Sequence, residues 1–212
     1  MEQGIKIAIY IHAFFGGLGL ITGLISVLVK KGNKTHKKAG KLFSVSMIIS
    51  CLISLVIACI PKHENVFLFL IGLFTIYLVL SGNRALSFKS HLKTHANFCD
   101  KLISGSMIIS AVFMLGYVIY DVIFNSKFDV LFLVFGGLGL FLGLKDFRFF
   151  KTFKTNKKAW LKSHIGKIVG AFIASVTAFI VAGLSITSLV SWLIPTVVGT
   201  IYIIYWSRKI QV

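Results

Sequence analysis

Long apolar blocks without charge alternate with short basic connections along the chain. Four blocks approach the ~20 residues that a helix needs to cross a bilayer: 7–29, 42–60, 66–83 and 102–120. A fifth block, 130–144, is shorter, and the phenylalanines on either side can complete it. The last uncharged run, 168–207, would form one helix about 60 Å long, so it must fold back, best at 183–188. The pattern predicts an all-α polytopic membrane helical bundle with seven transmembrane helices in one domain, 1–212.

The basic residues lie almost entirely in the connections on one side of the predicted membrane. The chain has 57 % hydrophobic and 14 % charged residues, with a net charge of +17. Twenty of its 23 basic residues lie in four segments: 30–41, 84–101, 145–167 and 208–209. By the positive-inside rule, the N-terminus is predicted outside and the C-terminus in the cytoplasm. The charge orients the protein in the bilayer, and it requires no nucleic-acid partner.

Two strings recur along the chain and predict an internal repeat. FGGLGL occurs at 15–20 and at 135–140, and Lys-Thr-His occurs at 34–36 and 93–95, with Lys-Ser-His at 162–164. The simplest account is three parallel helix hairpins, approximately 5–61, 65–124 and 128–184, followed by an extra helix at 189–207. Their pseudo-symmetry axis would run along the membrane normal, and it is either packed shut or a pathway.

The recurring glycines are spaced three and four residues apart, so that each set lies on one helix face. Such a face allows neighbouring backbones to approach closely, which favours helix association in lipid. The predicted packing glycines are Gly16, Gly19, Gly23, Gly136, Gly139 and Gly143. A phosphate-binding loop is excluded because these glycines lie in the middle of apolar helices.

Residues that break the repeat are the better candidates for function. His12 lies on the face of the first glycine set, where the other hairpins have Ile71 and Phe132. An ionisable side chain within a membrane span suggests a functional site, although a neutral histidine bonded to a carbonyl or tyrosine is an equal alternative.

On the predicted cytoplasmic side the repeat is broken by Arg84, Asp100 and Asp146. Asp100 and Asp146 are the only acids there. Each is predicted either to form a salt bridge that locks helix ends, or to act as a proton-relay or substrate-binding carboxylate.

The histidines of the repeated strings are candidates for binding a metal or an anion. His36, His95 and His164 would surround the cytoplasmic end of the axis if the repeat is real, and three imidazoles can ligate zinc. His91 and His95 form a further, weak metal-like pair. Bis-histidine haem ligation is an alternative. Plain interfacial residues remain the simpler interpretation, and the cofactor is unknown.

The stretch 147–160, FRFFKTFKTNKKAW, separates phenylalanines from lysines when it is wound as a helix. That is typical of a segment that lies in the headgroup layer against anionic lipid, with a plain basic loop as the alternative.

Three stretches resemble a group of bacterial multi-pass membrane proteins classed as a domain of unknown function. They are IYIHAFFGGLGLITG, THKKAGKLF and WLKSHIGKIVGAFIASVTAF, which contain His12, His36 and His164. The resemblance covers most of the chain. It implies a bacterial inner-membrane location and no particular activity.

Two functional classes therefore stay open. The first is a membrane protein that binds or translocates a small solute or ion, because parallel repeats imply an axis and polar residues lie at its cytoplasmic end. The second is a membrane-embedded enzyme or redox protein with a histidine-bound metal or haem. No nucleophile–base arrangement, Walker loop or zinc-protease motif is visible. A purely structural role is also open.

Overall fold

The computed structural model describes residues 2–89, 93–156, 158–186 and 188–210. These residues form seven α-helices and no strand: α1 (Glu2–Leu28), α2 (Lys34–Ile57), α3 (Val66–Ala85), α4 (Phe98–Asn125), α5 (Val130–Thr152), α6 (Ala159–Ala178) and α7 (Leu189–Lys209). Each helix is long and apolar enough to cross a membrane. The predicted all-α fold with seven membrane-spanning helices is confirmed, and the chain is a multi-pass membrane protein.

Polar side chains in the connections begin the helices by accepting hydrogen bonds from free backbone N–H groups. Asn33 accepts from the His36 amide at 2.7 Å and so caps α2. Asn97 and Asp100 form a reciprocal capping box at the start of α4. Asp129 accepts from the amides of Leu131 and Phe132 at the start of α5. The polar connections therefore determine where the apolar helices begin.

The chain divides into two compact units, and each is described by itself. Unit 1 is Met1–Val79 with Ile165–Val212, and unit 2 is Leu80–His164. The boundaries fall within α3 and α6. The predicted single domain and its three hairpin repeats stay predictions.

In unit 1 the glycine face of α1 packs along α2. A Cβ atom at Gly19 would lie 2.4 Å from Sδ of Met47. A Cβ atom at Gly23 would lie 2.6 Å from the ring of Phe172 and 3.0 Å from that of Phe43. The contacts at 2.4 and 2.6 Å are shorter than real Cβ atoms make, so an alanine at either glycine would force a neighbouring side chain to shift.

In unit 2 the glycine face of α5 packs along α4 in a matching way. A Cβ atom at Gly139 would lie 2.4 Å from Cε of Met107, and one at Gly143 would lie 2.6 Å from Ile108. Met47 and Met107 hold the same position in the recurring SMIIS string, as Gly19 and Gly139 do in FGGLGL. In unit 1 the helix with the glycine face, α1, precedes its partner α2 along the chain. In unit 2 the helix with the glycine face, α5, follows its partner α4.

The last uncharged run folds back within the segment predicted from its length. The α6 helix ends in a π-helical turn, Phe179–Gly183, in which the Leu184 amide donates to the Phe179 carbonyl at 2.9 Å. Since α7 begins at Leu189, the break between the helices falls inside 183–188.

The prediction of one amphipathic helix over 147–160 is wrong. Phe147 to Thr152 belong to α5, and α6 begins only at Ala159. Three phenylalanine rings of this stretch contact the buried ring of Phe88 instead. Their ring centroids lie 4.9, 5.8 and 4.9 Å from it: Phe149, Phe150 and Phe153.

The three repeated histidine strings occupy different positions relative to their helices, whereas the repeat predicts that each precedes a helix start. The first opens α2, and the third lies inside the first turns of α6. The second, 93–95, lies before α4. The capping residues explain the difference: Asn33 begins α2 before the string, and Asn97 begins α4 after it.

Candidate functional site

A buried carboxylate lies between α4 and α5 in unit 2. Asp146 is 2 % exposed, and its Oδ2 accepts a hydrogen bond of 2.9 Å from the hydroxyl of Ser104, which is 1 % exposed. Gly143 allows the two helices to approach here, since a Cβ atom there would lie 2.6 Å from Ile108 of α4. Asp146 is thus an ionisable group buried within a membrane-spanning helix, and a hydroxyl on a second helix holds it.

The second predicted acid, Asp100, is held by positive groups on two sides. Nε of Arg84 lies 2.5 Å from Oδ1, and Nζ of Lys93 lies 2.8 Å from Oδ2. The Asn97 amide donates to Oδ2 at 3.0 Å, and the Arg84 guanidinium also donates to the Asn97 side chain. Two cations and a capping amide thus contact the carboxylate. The geometry favours a structural role, in which Asp100 holds the end of α3 against the start of α4.

Besides Asp100, the Lys93 ammonium contacts the cluster of phenylalanine rings around Phe88. It lies 3.7 Å from the centroid of the Phe88 ring, and it donates to the Ser87 hydroxyl at 2.8 Å. A cation over an aromatic face is attracted by the negative potential of the ring. Lys93 therefore fixes the short 3₁₀ helix Leu86–Lys89 against the start of α4.

Two histidines, one on each helix, form hydrogen bonds between α1 and α2 in unit 1. Nδ1 of His12 lies 2.9 Å from the carbonyl oxygen of Ser50, and Nδ1 of His36 lies 3.0 Å from that of Ser26. A carbonyl oxygen only accepts, so Nδ1 carries the proton in both rings.

The other two histidines of the repeated strings have separate surroundings in unit 2. Nδ1 of His164 lies 2.9 Å from the carbonyl oxygen of Gly82 on α3, whereas the exposed His95 contacts the neighbouring Thr94 hydroxyl. His91 lies outside the described residues. Within the described part of the chain, no group of three or more His, Cys, Asp or Glu side chains could hold a metal ion. The predicted three-histidine metal site has no support there.

Sequence reasoning missed a buried lysine in unit 1. Lys167 is 6 % exposed, and its ammonium lies 5.9 Å from the centroid of the Tyr77 ring, which is itself 3 % exposed. The corresponding lysines of the other strings, Lys41 and Lys101, are exposed. All three look like interfacial lysines in the sequence, because each follows the same string at a predicted helix start. Only packing distinguishes Lys167.

Comparison with known proteins finds no relative of the chain. No protein-family model matches the chain, and neither a curated protein nor a solved structure matches it.

Proposed function

We propose that this multi-pass membrane protein binds and translocates a small solute or ion, and that Asp146 binds a small cation, H⁺ or Na⁺. The observation that carries the proposal is the burial of Asp146 at 2 % exposure within a membrane-spanning helix. Ionisable residues are costly at such positions, and they commonly mark ion pathways and proton relays. A packing role alone would be served by an apolar residue at lower cost.

The hydroxyl of Ser104 suits the proposed role of Asp146. Carboxylate and hydroxyl oxygens are the hard ligands that small cations prefer, and a hydroxyl can donate to an ionised carboxylate or accept from a protonated one. The bond of 2.9 Å between them joins two different helices. A change in the charge of Asp146 would therefore act directly on the α4–α5 contact.

The proposed location is a bacterial cytoplasmic membrane, with the N-terminus outside and the C-terminus inside. The concentration of basic residues in alternate connections supports this orientation. The resemblance of the His12, His36 and His164 stretches to bacterial membrane proteins of unknown function supports the location. We include membership of that group in the proposal.

Ion flux into liposomes tests the proposal. The purified protein is reconstituted with an internal pH-sensitive or Na⁺-sensitive dye, and a K⁺ diffusion potential drives cation entry. We expect flux above that of empty liposomes, and a loss of about tenfold or more in Asp146→Asn, equivalent to about 1.4 kcal/mol. Ser104→Ala should give an intermediate loss.

Two variants serve as matched controls. Asp121→Asn removes another buried carboxylate of unit 2 but retains the oxygen that accepts from Asn125. Ser106→Ala removes an exposed hydroxyl from α4, the helix that also carries Ser104. Both should keep the wild-type flux. Absence of flux for both ions, or full flux in Asp146→Asn, would refute the proposal. A haem absorption band, or a stoichiometric metal lost in His36→Ala or His164→Ala, would replace it with the enzyme or redox alternative.

A further inference from the structure

An open groove of about 540 Å³ lies between the end of α1 and the last turns of α7, both in unit 1. Its lining includes Leu28, Lys30, Lys31, Tyr202, Tyr205 and Trp206. We call it the α1/α7 groove. Aromatic residues next to lysine or arginine at the ends of membrane-spanning helices are typical of the headgroup level of a bilayer. The groove is therefore placed at the membrane surface.

The basic groups of the α1/α7 groove differ in the number of contacts that they make within the protein. Lys31 donates to the carbonyls of Ser26 and Val29 at 3.2 and 3.3 Å, and also to that of Val27. Its ammonium also lies 5.5 Å from the Trp206 ring centroid. Lys31 therefore satisfies the free carbonyls at the end of α1 and fixes one wall of the groove.

Other cations at the groove have no anionic partner in the described part of the chain. Lys30 lines the groove and is exposed, and its side chain forms no hydrogen bond or ion pair there. Lys209 lies 5.2 Å from the Trp206 ring centroid and forms no ion pair there. The groove thus has positive charge from Lys30 and Lys31 in its lining and from Lys209 over the Trp206 ring.

The acids of unit 1 are too distant to neutralise these charges. Glu2 lies at the start of α1, and Glu64 lies in the connection after α2. Both are a full helix length from the groove, about 35 Å along α1 or α2, which exceeds the ~8 Å over which salt screens exposed charges. None of the acids of unit 1 therefore supplies the negative charge that would compensate these groups.

The surroundings of the groove point to a lipid as the source of that charge. Next to it, Leu28 is 74 % exposed and Ile201 is 63 % exposed, both within membrane-spanning helices. A soluble anion would leave these apolar side chains without a partner, whereas acyl chains would cover them. We propose that the α1/α7 groove binds an anionic phospholipid, with its phosphate near Lys30 and Lys209 and its acyl chains along the exposed apolar residues. This proposal does not rest on the proposed ion site at Asp146.

Lipid binding to the purified, delipidated protein tests the proposal. Native mass spectrometry or fluorescence titration would compare phosphatidylglycerol with phosphatidylcholine. Each basic group near an anionic surface contributes about fivefold, so the double variant Lys30→Gln/Lys209→Gln should bind phosphatidylglycerol about 30-fold more weakly. The matched control is Lys37→Gln/Lys38→Gln, because both lysines are exposed on α2 near the same end, whereas Lys30 lines the groove and Lys209 lies over its Trp206 ring. It should bind as the wild type does.

Three outcomes would overturn the proposal. An equal loss in the control variant would show diffuse attraction by surface charge. Equal affinity for phosphatidylcholine would show that the anionic head group is not recognised. Displacement of the lipid by millimolar inorganic phosphate would identify the ligand as a soluble anion. Thermal unfolding of both double variants in lipid-free detergent should match the wild type, since all four side chains are exposed.

Discussion

His12 and Ser50 each bind the backbone of the other across the α1–α2 contact. Nδ1 of His12 donates to the Ser50 carbonyl at 2.9 Å, and Oγ of Ser50 donates to the His12 carbonyl at 3.0 Å. The hydroxyl lies 3.3 Å from the position of a Cβ atom at Gly16, so the glycine leaves room for it. This reciprocal pair joins two helices, each of which is long and apolar enough to cross a membrane.

We expect His12→Phe to fold, because Phe132 holds the equivalent position in the third predicted hairpin. The variant loses the bond to Ser50, and interhelical hydrogen bonds in membranes contribute about 0.6–1.7 kcal/mol. Unfolding in mixed detergent micelles would measure this loss.

A double-mutant cycle separates the pair from its surroundings. His12→Phe and Ser50→Ala should couple by roughly 1 kcal/mol. His12→Phe and Ser54→Ala should not couple, since the Ser54 hydroxyl donates to Cys51 of its own helix. If the coupling between His12 and Ser50 is near zero, the reciprocal bonds do not contribute to stability.

The sequence predicts the helices well because the bilayer imposes a length and an apolar composition on each of them. It also selects His12, since a polar residue stands where the repeat has isoleucine and phenylalanine. Its partner Ser50 could not be predicted, because several serines lie on α2 and the rotation of one helix against another depends on packing. The burial of Lys167 could not be predicted for the same reason, since Lys41 and Lys101 have the same sequence context and are exposed.

Substitution at Gly23 should destabilise the protein through the two rings that face it. In Gly23→Ala the new Cβ atom would meet Phe172 at 2.6 Å and Phe43 at 3.0 Å. Overpacking of this kind costs about 1–3 kcal/mol. The same unfolding assay measures the loss.

Gly17→Ala is the matched control for Gly23→Ala, because no atom lies within 4 Å of a Cβ atom at Gly17. It should be neutral, or stabilising by up to ~1 kcal/mol through helix propensity. Equal effects of the two alanines would contradict the close packing of the α1 face.

Removal of the Asp100 carboxylate should loosen the junction of α3 and α4. Asp100→Ala leaves Arg84 and Lys93 facing each other without their shared anion, and it also removes half of the capping box. We expect a loss of roughly 2 kcal/mol in unfolding free energy. Asp100→Asn should lose less, because its amide oxygen still accepts from the Asn97 backbone.

Lys101→Ala controls for a charge change in the same helical turn, since Lys101 is exposed. It should lie within about 0.5 kcal/mol of the wild type. If Asp100→Ala is as stable as Lys101→Ala, the carboxylate has no locking role, and its other predicted role, in relaying protons or binding substrate, gains weight.

The three native cysteines provide a test of orientation without engineered sites. Cys51 is buried, whereas Cys59 after α2 and Cys99 at the start of α4 are exposed. With the N-terminus outside, Cys59 faces the exterior and Cys99 the cytoplasm. In single-cysteine variants expressed in a bacterial host, a membrane-impermeant maleimide should label Cys59 in intact cells. Cys99 should be labelled only after permeabilisation, and Cys51 only after unfolding.

Labelling of Cys99 but not Cys59 in intact cells would reverse the orientation. The basic connections would then lie outside, against the rule by which lysine and arginine stay on the cytoplasmic side.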